Sequence, residues 1–447
     1  MMRLLLLLLG TEALRQHWVS AMALGLIWLI AGVSIFLDAL DGVLYFPLRP
    51  FGWLLVVEGS LSILVALTRI ALHPGLRLAR GLLVLLAGLL IISPWHLHDF
   101  ILALVFGLFL LVDGGFRIAS AWVVRFPGWR LALAGGVLEF LFGVFVLEPY
   151  PTWYAGTVPG CIGIALALTG RSALLLAWRL YRLPPHASLG MLYARGHFLR
   201  SSQVELERQR EDRPSGDVLT VHVWTATGTT NDPVRRPLID RYIAAVDKKG
   251  VISTGHAALE LPPDIYISHY PGVEVDHSPT DFAQMLRATS ENDMPGRFQP
   301  SYREEAAEWC ESTVKIRFRR FDGERVRRFW EMYRQVDTYN LTNRNCSSVV
   351  AHSLEIALEG TLAKSGRGFG HVLRILFSTE FWAAAIVRKH AEAMAWTPGF
   401  VLDYARSLRA LEDPPPVSLH GMLRAMRTNW RHRQLLKRRQ QRSRAVA

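Results

Sequence analysis

The sequence predicts two parts of different fold class. Residues 1–182 form an all-α, six-helix transmembrane bundle of three repeated hairpins, and residues 217–362 form an α+β domain. Three observations predict this: about the first 180 residues are dense in Leu, Val, Ile, Gly and Trp, glycines recur there at a fixed interval, and short alternating strands followed by helices come later. We assign 183–216 to a linker, 363–413 to an amphipathic helical extension and 414–447 to a basic tail.

Six apolar stretches are candidates for membrane crossing, which takes about 20 residues of helix. The third and fifth are short, and their assignment depends on the repeat described next. The six stretches are Trp18–Leu37, Gly52–Leu72, Leu78–Ile92, Phe100–Val124, Leu131–Leu147 and Ala155–Leu180.

Two sets of glycines recur through these stretches at almost constant spacing, 56 and 55 residues in one set and 55 and 56 in the other. The sets are Gly32, Gly88 and Gly143, and Gly59, Gly114 and Gly170. Such a period indicates a repeated unit, here a helical hairpin used three times. Because small residues let helix backbones approach closely, we also expect the protein to be capable of forming homo-oligomers.

Arginines are concentrated in the loops on one side of the predicted bundle, including Arg15, Arg77, Arg125 and Arg182. The positive-inside rule therefore predicts a multi-pass protein of a bacterial-type inner (plasma) membrane, with both termini in the cytoplasm. Met1–Gly10 resembles a short signal peptide, but no small-residue cleavage site follows it. We interpret it as an interfacial start to the first helix.

Three acidic residues, Glu58, Asp113 and Glu139, lie at membrane depth. Ionisable groups at that depth often form a proton or ion relay. The alternative is that they lie near helix ends or pair with arginines, and Asp113 and Arg117 are one helical turn apart. The sequence favours this second interpretation.

The triple hairpin and its glycine signatures resemble the HdeD-like acid-resistance membrane protein family. The resemblance covers about residues 10–182 and rests on the repeat architecture. It implies a role in acid or stress resistance.

Cys346 is predicted to lie in the first turn of a helix, because a polar turn precedes it and apolar residues at helical spacing follow it. Backbone N–H groups and the positive end of the helix macrodipole favour a thiolate at that position. About ninety residues upstream, His256 lies in a strand-like run that ends at Leu261. A cysteine and a histidine so placed make the minimal thiol nucleophile and its base.

Strands precede helices in the rest of this domain. The predicted strands are Leu219–Trp224, Tyr242–Val246, Val251–Leu261, Ile265–Tyr270 and Ser312–Phe321, and the predicted helices are Asp281–Thr289, Asp322–Tyr339 and the one that Cys346 begins. In the extension, His371–Trp396 predicts an amphipathic helix on the membrane or the bundle, with ordinary domain packing as the alternative. Pro398–Leu411 predicts a further helix.

The strand that starts with Gly255-His256-Ala-Ala-Leu-Glu, a polar residue on the next strand, and Tyr339…Asn345-Cys346 opening a helix resemble the circularly permuted papain-like cysteine hydrolases. That branch includes lecithin retinol acyltransferase and is allied to NlpC-type peptidases. The resemblance covers about residues 217–362. It implies Cys346 as nucleophile, His256 as base and His269 as the residue that orients His256, with Ser268 as the alternative because strand parity is open.

Asn345 and Asn343 either assist the oxyanion or, as we favour, only form the turn. The other cysteines, Cys161 and Cys310, are interpreted as structural, and His352 and His222 as packing residues. The three cysteines form no CxxC pair, so the sequence predicts no disulfide framework, no metal site and no cofactor.

The predicted function is a membrane-anchored, cytoplasm-facing cysteine hydrolase, a peptidase or amidase, acting through an acyl-enzyme in stress or acid resistance. The alternatives are a lipid acyltransferase or deacylase at the bilayer surface, and a non-catalytic membrane stress-response protein whose papain-like domain binds partners. The net charge of +12 and the basic tail predict contact with anionic lipid headgroups. The other expected partner is a peptide or acyl substrate; no fold motif supports nucleic-acid binding.

Overall fold

A computed structural model describes residues 2–11, 17–40, 48–67, 74–93, 98–151, 153–182, 188–190, 218–227, 242, 245–246, 252–273, 286–364, 375–376 and 378–412. The chain divides into two compact units. The first contains Met1–Gly25, Leu111–Leu141 and Ser172–Glu412, and the described part of the second lies within Leu26–Leu110 and Phe142–Arg171. The linker, the basic tail and most of the predicted helix Asp281–Thr289 lie outside the described residues, and the described residues 286–289 are not helical.

Helices occupy all six of the apolar stretches. They are α2 (Trp18–Asp38), α3 (Leu48–Leu67), α4 (Pro74–Ile92), α5 (His98–Val124), α6 (Trp129–Leu147) and α7 (Thr157–Arg182). Among the described helices, four are long and apolar enough to cross a membrane: α2, α5, α6 and α7. Within α4, Leu78–Ile92 is a shorter apolar helical segment.

The recurring glycines lie where helix backbones approach each other. A Cβ atom added to Gly88 of α4 would come within 2.8 Å of the carbonyl oxygen of Gly52 in α3. A Cβ on Gly163 of α7 would lie 2.7 Å from the carbonyl oxygen of Gly32 in α2. The prediction that these glycines permit close helix packing is confirmed, and the close pairs join helices of successive hairpins.

The N-terminal segment forms a separate helix, α1 (Met2–Leu9), which packs into the hydrophobic core of the C-terminal domain. Leu4, Leu7 and Leu8 are buried there, and the carbonyl of Leu7 accepts a hydrogen bond of 3.0 Å from the backbone N–H of Gly360. The prediction of an interfacial start to the first membrane helix is therefore wrong. The leucine run buries its apolar surface against protein instead.

A four-stranded antiparallel sheet forms the centre of the C-terminal domain, in the order β5-β4-β1-β8. Its strands are β1 (Leu219–Trp224), β4 (His256–Leu261), β5 (Ile265–Ile267) and β8 (Val314–Phe318). Every residue of the central strand β1 is buried, because protein covers both faces of the sheet. The strands predicted in these four places are confirmed.

Two smaller antiparallel sheets accompany it. One pairs β2 (Ala245–Val246) with β3 (Ile252–Ser253), which confirms the predicted hairpin. The other has the order β6-β7-β9 and contains β6 (His269–Pro271), β7 (Met294–Phe298) and β9 (Thr338–Tyr339). The second of these sheets was not predicted, because β6 follows β5 after a single residue and reads as one strand with it.

Helices cover the central sheet. They are α8 (Tyr302–Glu308), α9 (Gly323–Tyr333), α10 (Cys346–Leu358), α11 (Thr361–Lys364), α12 (Thr379–Ala393) and α13 (Pro398–Glu412). The predicted helix Asp322–Tyr339 is shorter than expected, because the chain turns after Tyr333 and enters β9. Helix α12 buries Phe381 and Ala384 in the domain core, so its interpretation as ordinary domain packing is confirmed.

Candidate functional site

Cys346 is the first residue of helix α10, as the sequence predicts. Asn345 caps the helix: its Oδ1 accepts a hydrogen bond of 2.7 Å from the backbone N–H of Ser348. Ser348 Oγ in turn accepts from the backbone N–H of Asn345 at 2.9 Å, which completes a capping box. This local chemistry fixes where the helix starts and therefore where the sulfur lies.

His256 begins strand β4, beside Trp224 of β1 in the antiparallel register. The preceding residue, Gly255, has a φ of +71°, and a Cβ atom there would clash with the carbonyl oxygen of Trp224. Only glycine fits this left-handed turn without strain. The imidazole is 3% exposed and stacks on the Tyr270 ring with centroids 4.0 Å apart.

The Nε2 atom of His256 has two polar neighbours. Ser268 Oγ lies 2.9 Å from it, and Glu305 Oε1 lies 3.3 Å from it. Since Nε2 is engaged in this way, the tautomer with a proton on Nε2 leaves Nδ1 unprotonated and able to act as a base. Tautomer assignment here follows from the neighbours.

Glu305, from helix α8, was not identified from the sequence. It is 1% exposed and accepts hydrogen bonds from two tyrosine hydroxyls, Tyr266 to Oε2 at 2.5 Å and Tyr270 to Oε1 at 2.7 Å. A buried carboxylate needs such partners, because burying a charge without hydrogen bonds is costly. The glutamate and its two tyrosines form a polar cluster directly behind His256.

His269 faces away from this cluster. Its Nδ1 lies 2.9 Å from Tyr333 OH and its Nε2 lies 3.4 Å from the carbonyl of Asp337. Consecutive residues of an extended segment point to opposite sides, so Ser268 and His269 cannot both face His256. The contact predicted for His269 belongs to the alternative, Ser268.

The Cys346 sulfur lies against the start of strand β4, since the backbone N–H of Ala257, the residue after His256, donates to it. Ser347 Oγ lies 3.6 Å from the sulfur. The structure describes both Cys346 and His256, and no hydrogen bond joins the sulfur to the imidazole in it. The thiol and the ring are thus sequence-distant groups held on adjacent backbone, without a direct bond.

Burial raises the pKa of the Cys346 thiol, and the hydrogen bonds from Ser347 and from the Ala257 backbone act in the opposite direction. Cys346 is 8% exposed. The expectation that the helix N-terminus favours a thiolate is therefore wrong for the resting protein. Desolvation of the charged form outweighs the helix terminus here.

The two histidines are neutral at neutral pH for the same reason. Burial, together with the neighbouring His269, lowers the pKa of His256 to about 3. Burial and the positive charge of Arg344 lower the pKa of His269 to about 4. A neutral imidazole is the form that accepts a proton from a thiol.

Asn345 and Asn343 hold the turn before Cys346. Besides its capping bond, Asn345 donates from Nδ2 to the carbonyls of Leu341 at 2.6 Å and Trp396 at 3.0 Å. Asn343 donates from Nδ2 to the carbonyl of Ala288 at 3.3 Å. These contacts agree with turn formation, the role that the sequence favoured.

Each acidic residue at membrane depth has a cationic partner. Glu58 is ion-paired with Arg80, and Glu139 lies 3.0 Å from Arg117. Asp113 lies 3.7 Å from Arg117, as the sequence suggested, and also 2.9 Å from Lys389 of helix α12. Arg80 and Lys389 are partners that the sequence did not identify, because helix packing brings them there.

The remaining candidates lie in packed surroundings. Cys161 and Cys310 are free thiols that are partly buried, and His352 is buried in α10. His222 lies between Ser312 Oγ at 3.2 Å and Glu260 Oε2 at 2.9 Å. Over the part of the chain that the structure describes, no group of three or more His, Cys, Asp or Glu could hold a metal ion.

We compared the chain with known proteins: no protein-family model matches it, and neither does any curated protein or solved structure. The resemblances to HdeD-like and permuted papain-like proteins therefore stay predictions from the residues quoted above.

Proposed function

We propose that the protein is a membrane-anchored cysteine hydrolase in which Cys346 is the nucleophile and His256 is the base. The observation that supports this most is the location of the Cys346 sulfur, on the N-terminus of a capped helix and hydrogen-bonded by the residue that follows His256. This is the arrangement of a nucleophile, a base and orienting groups that thiol catalysis needs. A permuted papain-like fold of the domain is part of the proposal.

Glu305 and Ser268 are proposed to be positioning residues. Both contact Nε2 of His256, so they hold the imidazole in one tautomer and one orientation. When His256 gains a proton, the Glu305 carboxylate stabilises the imidazolium that forms. His269 is omitted from this set because its ring bonds to Tyr333.

The proposed reaction begins when a substrate carbonyl binds beside the thiol. Nδ1 of His256 takes the Cys346 proton as the sulfur attacks the carbonyl carbon, since both groups are neutral beforehand. The pair comes within hydrogen-bond distance only in this complex. The backbone N–H of Cys346, which is free at the first turn of a helix, stabilises the oxyanion.

The tetrahedral intermediate collapses as the imidazolium gives its proton to the leaving amine, which departs and leaves a thioester on Cys346. Water, deprotonated by His256, then attacks the thioester carbonyl. The C–S bond breaks, the acid is released and the sulfur regains a proton. The favoured substrates are peptides or amides.

The membrane half supports the proposed location. Helix α1 and the cysteine helix α10 share one core, so both ends of the membrane half must lie on the same side of the bilayer. An even number of crossings satisfies this, as six spans would. With arginine-rich loops on that side, we propose that the termini and the hydrolase face the cytoplasm, and that the protein acts in stress or acid resistance.

An acyl-type thiol probe tests the enzyme. The protein is purified in detergent with Cys161 and Cys310 changed to Ser, and labelling of Cys346 is followed by mass spectrometry. We expect labelling to disappear in Cys346→Ala, to slow by about 100-fold or more in His256→Ala, and by about 10-fold in Glu305→Gln. The Cys310→Ser change alone is the matched control and should leave the rate unchanged.

A non-catalytic binding domain is the second candidate, and the burial of Cys346 is the observation that favours it. A wild-type protein that is never labelled in membranes, or labelling that is equally fast without His256, would contradict the hydrolase and favour this alternative. Transfer of labelled acyl chains from lipid vesicles to Cys346 would indicate instead an acyltransferase or deacylase.

A further inference from the structure

Residues 388–396, the end of helix α12 and the turn after it, contact both the cysteine helix α10 and the membrane-half helix α5. All of these residues belong to the first compact unit. We call residues 388–396 the bridging segment. Its contacts on the two sides differ in kind and are described in turn.

One side of the bridging segment holds the body of the cysteine helix. Arg388 makes a two-pronged ion pair with Glu355 of α10, with distances of 2.6 Å from Nε and 3.1 Å from Nη2. Both side chains are buried, and Tyr404 OH also donates to Glu355 at 2.9 Å. Although burial alone would raise it, the Arg388 guanidinium holds the pKa of Glu355 below its usual value, so this carboxylate stays charged.

The same segment also holds the start of the cysteine helix. The carbonyl of Trp396 accepts a hydrogen bond of 3.0 Å from Nδ2 of Asn345. Asn345 is the helix cap and immediately precedes Cys346. A displacement of Trp396 would therefore pull directly on the turn that places the sulfur.

The other side of the bridging segment lies along helix α5. Lys389 Nζ lies 2.9 Å and 3.2 Å from the two carboxylate oxygens of Asp113. The His390 and Phe116 rings are 5.7 Å apart, and Ser120 Oγ donates to the carbonyl of Ala393. Positions 113, 116 and 120 are spaced by three and four residues, so they form one stripe on α5.

The ion pair makes this contact specific. Asp113 also lies beside Arg117, which bonds to Glu139 of α6, so Lys389 joins a charge cluster that spans the α5–α6 pair. An acidic residue in an otherwise apolar helix is costly unless it is paired. A change in the packing of α5 and α6 must therefore alter the contact with Lys389.

We propose that the bridging segment couples the membrane half to the nucleophile: the arrangement of α5 and α6 sets the geometry of the turn at Cys346 through Lys389, Arg388 and Trp396. Adjacent residues of one helix, Arg388 and Lys389, grip the cysteine helix and the membrane-half helix respectively. As a form of regulation, the inference rests on the proposed hydrolase. The coupling itself concerns the reactivity of a thiol.

A double-mutant cycle on the Lys389–Asp113 pair tests the coupling. Lys389→Gln, Asp113→Asn and the double variant are made with Cys161 and Cys310 changed to Ser, and the alkylation rate of Cys346 by iodoacetamide is measured in lipid nanodiscs. Lys389 is 54% exposed, so its substitution should leave the fold intact, which thermal unfolding checks. Arg409→Gln is the control, because its 3.0 Å ion pair to Glu412 lies within α13.

We expect each single substitution to change the alkylation rate by about threefold or more, and the double variant to match the singles rather than multiply their effects. The control should stay at the wild-type rate. Unchanged rates in all three variants, or single effects that multiply in the double variant, would overturn the coupling. Iodoacetamide needs only a thiol, whereas the acyl probe needs His256, so the coupling and the hydrolase can fail separately.

Discussion

At the scale of single residues, the centre of the candidate site combines a neutral imidazole with a buried carboxylate. Glu305 receives two tyrosine hydroxyls and faces His256, and Tyr270 both stacks on the ring and donates to the carboxylate. Such a network is rigid because each polar group has a partner in a region of low dielectric. It holds the histidine ready without charging it.

The buried histidines predict a stability that falls in acid. The unfolded chain binds protons at histidines below about pH 6.5, whereas in the folded protein the pKa values are about 3 for His256 and about 4 for His269. The unfolded state therefore holds more protons between these limits, and the free energy of unfolding decreases as the pH falls from about 6.5. Each histidine contributes about 1.4 kcal/mol per pH unit over its range.

Chemical unfolding of the purified protein between pH 7.5 and pH 5 measures this slope. His256→Asn and His269→Asn should each make the slope shallower. Ser268→Ala removes the hydrogen bond to His256 but no titrating group, so its slope should match the wild type. A slope that neither histidine substitution alters would contradict the assignment.

At the scale of elements, helix α10 connects distant parts of the chain at both of its ends. Its N-terminus is capped by Asn345, and the residue after its C-terminus, Glu359, is buried. The Glu359 carboxylate accepts from the backbone N–H groups of Leu189 at 3.0 Å and Gly190 at 3.1 Å, and from Thr11 Oγ1 at 3.2 Å. The cysteine helix therefore anchors the segments on either side of the membrane half.

Helix α1 is predicted to stabilise the hydrolase domain as a true core element. Leu7 is 1% exposed and packs in the main core, so Leu7→Ala should lower the free energy of unfolding by about 3 kcal/mol. Leu9, on the same helix, is only partly buried, and Leu9→Ala should cost clearly less. Both changes keep a strong helix former, so helix propensity does not explain a difference.

Thermal unfolding in detergent, followed through tryptophan fluorescence, provides the comparison. Equal effects of the two substitutions would show that α1 does not depend on burial in this core.

At the scale of the whole molecule, the shared core of α1 and α10 constrains the topology more strongly than loop charges do. The N-terminus cannot be separated from the cysteine domain by a bilayer when Leu7 and Gly360 share a backbone hydrogen bond. Charge asymmetry then selects the side, because arginine-rich loops stay in the cytoplasm.

We therefore predict that the N-terminus and the cysteine domain lie on the same, cytoplasmic side. Single cysteines at Arg3 and at Glu331, introduced into a variant without native cysteines, should resist a membrane-impermeant maleimide in intact cells and react after lysis. A cysteine at Leu40, which follows α2, is the control and should react in intact cells. Reaction of only one of the first two positions in intact cells would contradict the shared core.

Much of the fold could be predicted because it depends on local pattern. Apolar runs and glycine periods located the six helices, the polar turn before Cys346 located the start of its helix, and alternation located the strands of the central sheet. Glu305 could not be found in this way, because it is one acidic residue on a short, charged helix and nothing local distinguishes it. Its role depends on Tyr266 and Tyr270, which pack against it from another element.

The sequence by itself determined the helices that can enter a membrane, the glycines at which they meet and the cysteine that opens α10, because these follow from hydrophobicity, residue size and capping over a few neighbouring residues. Tertiary structure alone decided that Ser268 and not His269 faces His256, that burial keeps the thiol neutral, and that Met2–Leu9 completes a distant core. Strand parity, desolvation and long-range packing are properties of the folded chain, and no local pattern encodes them.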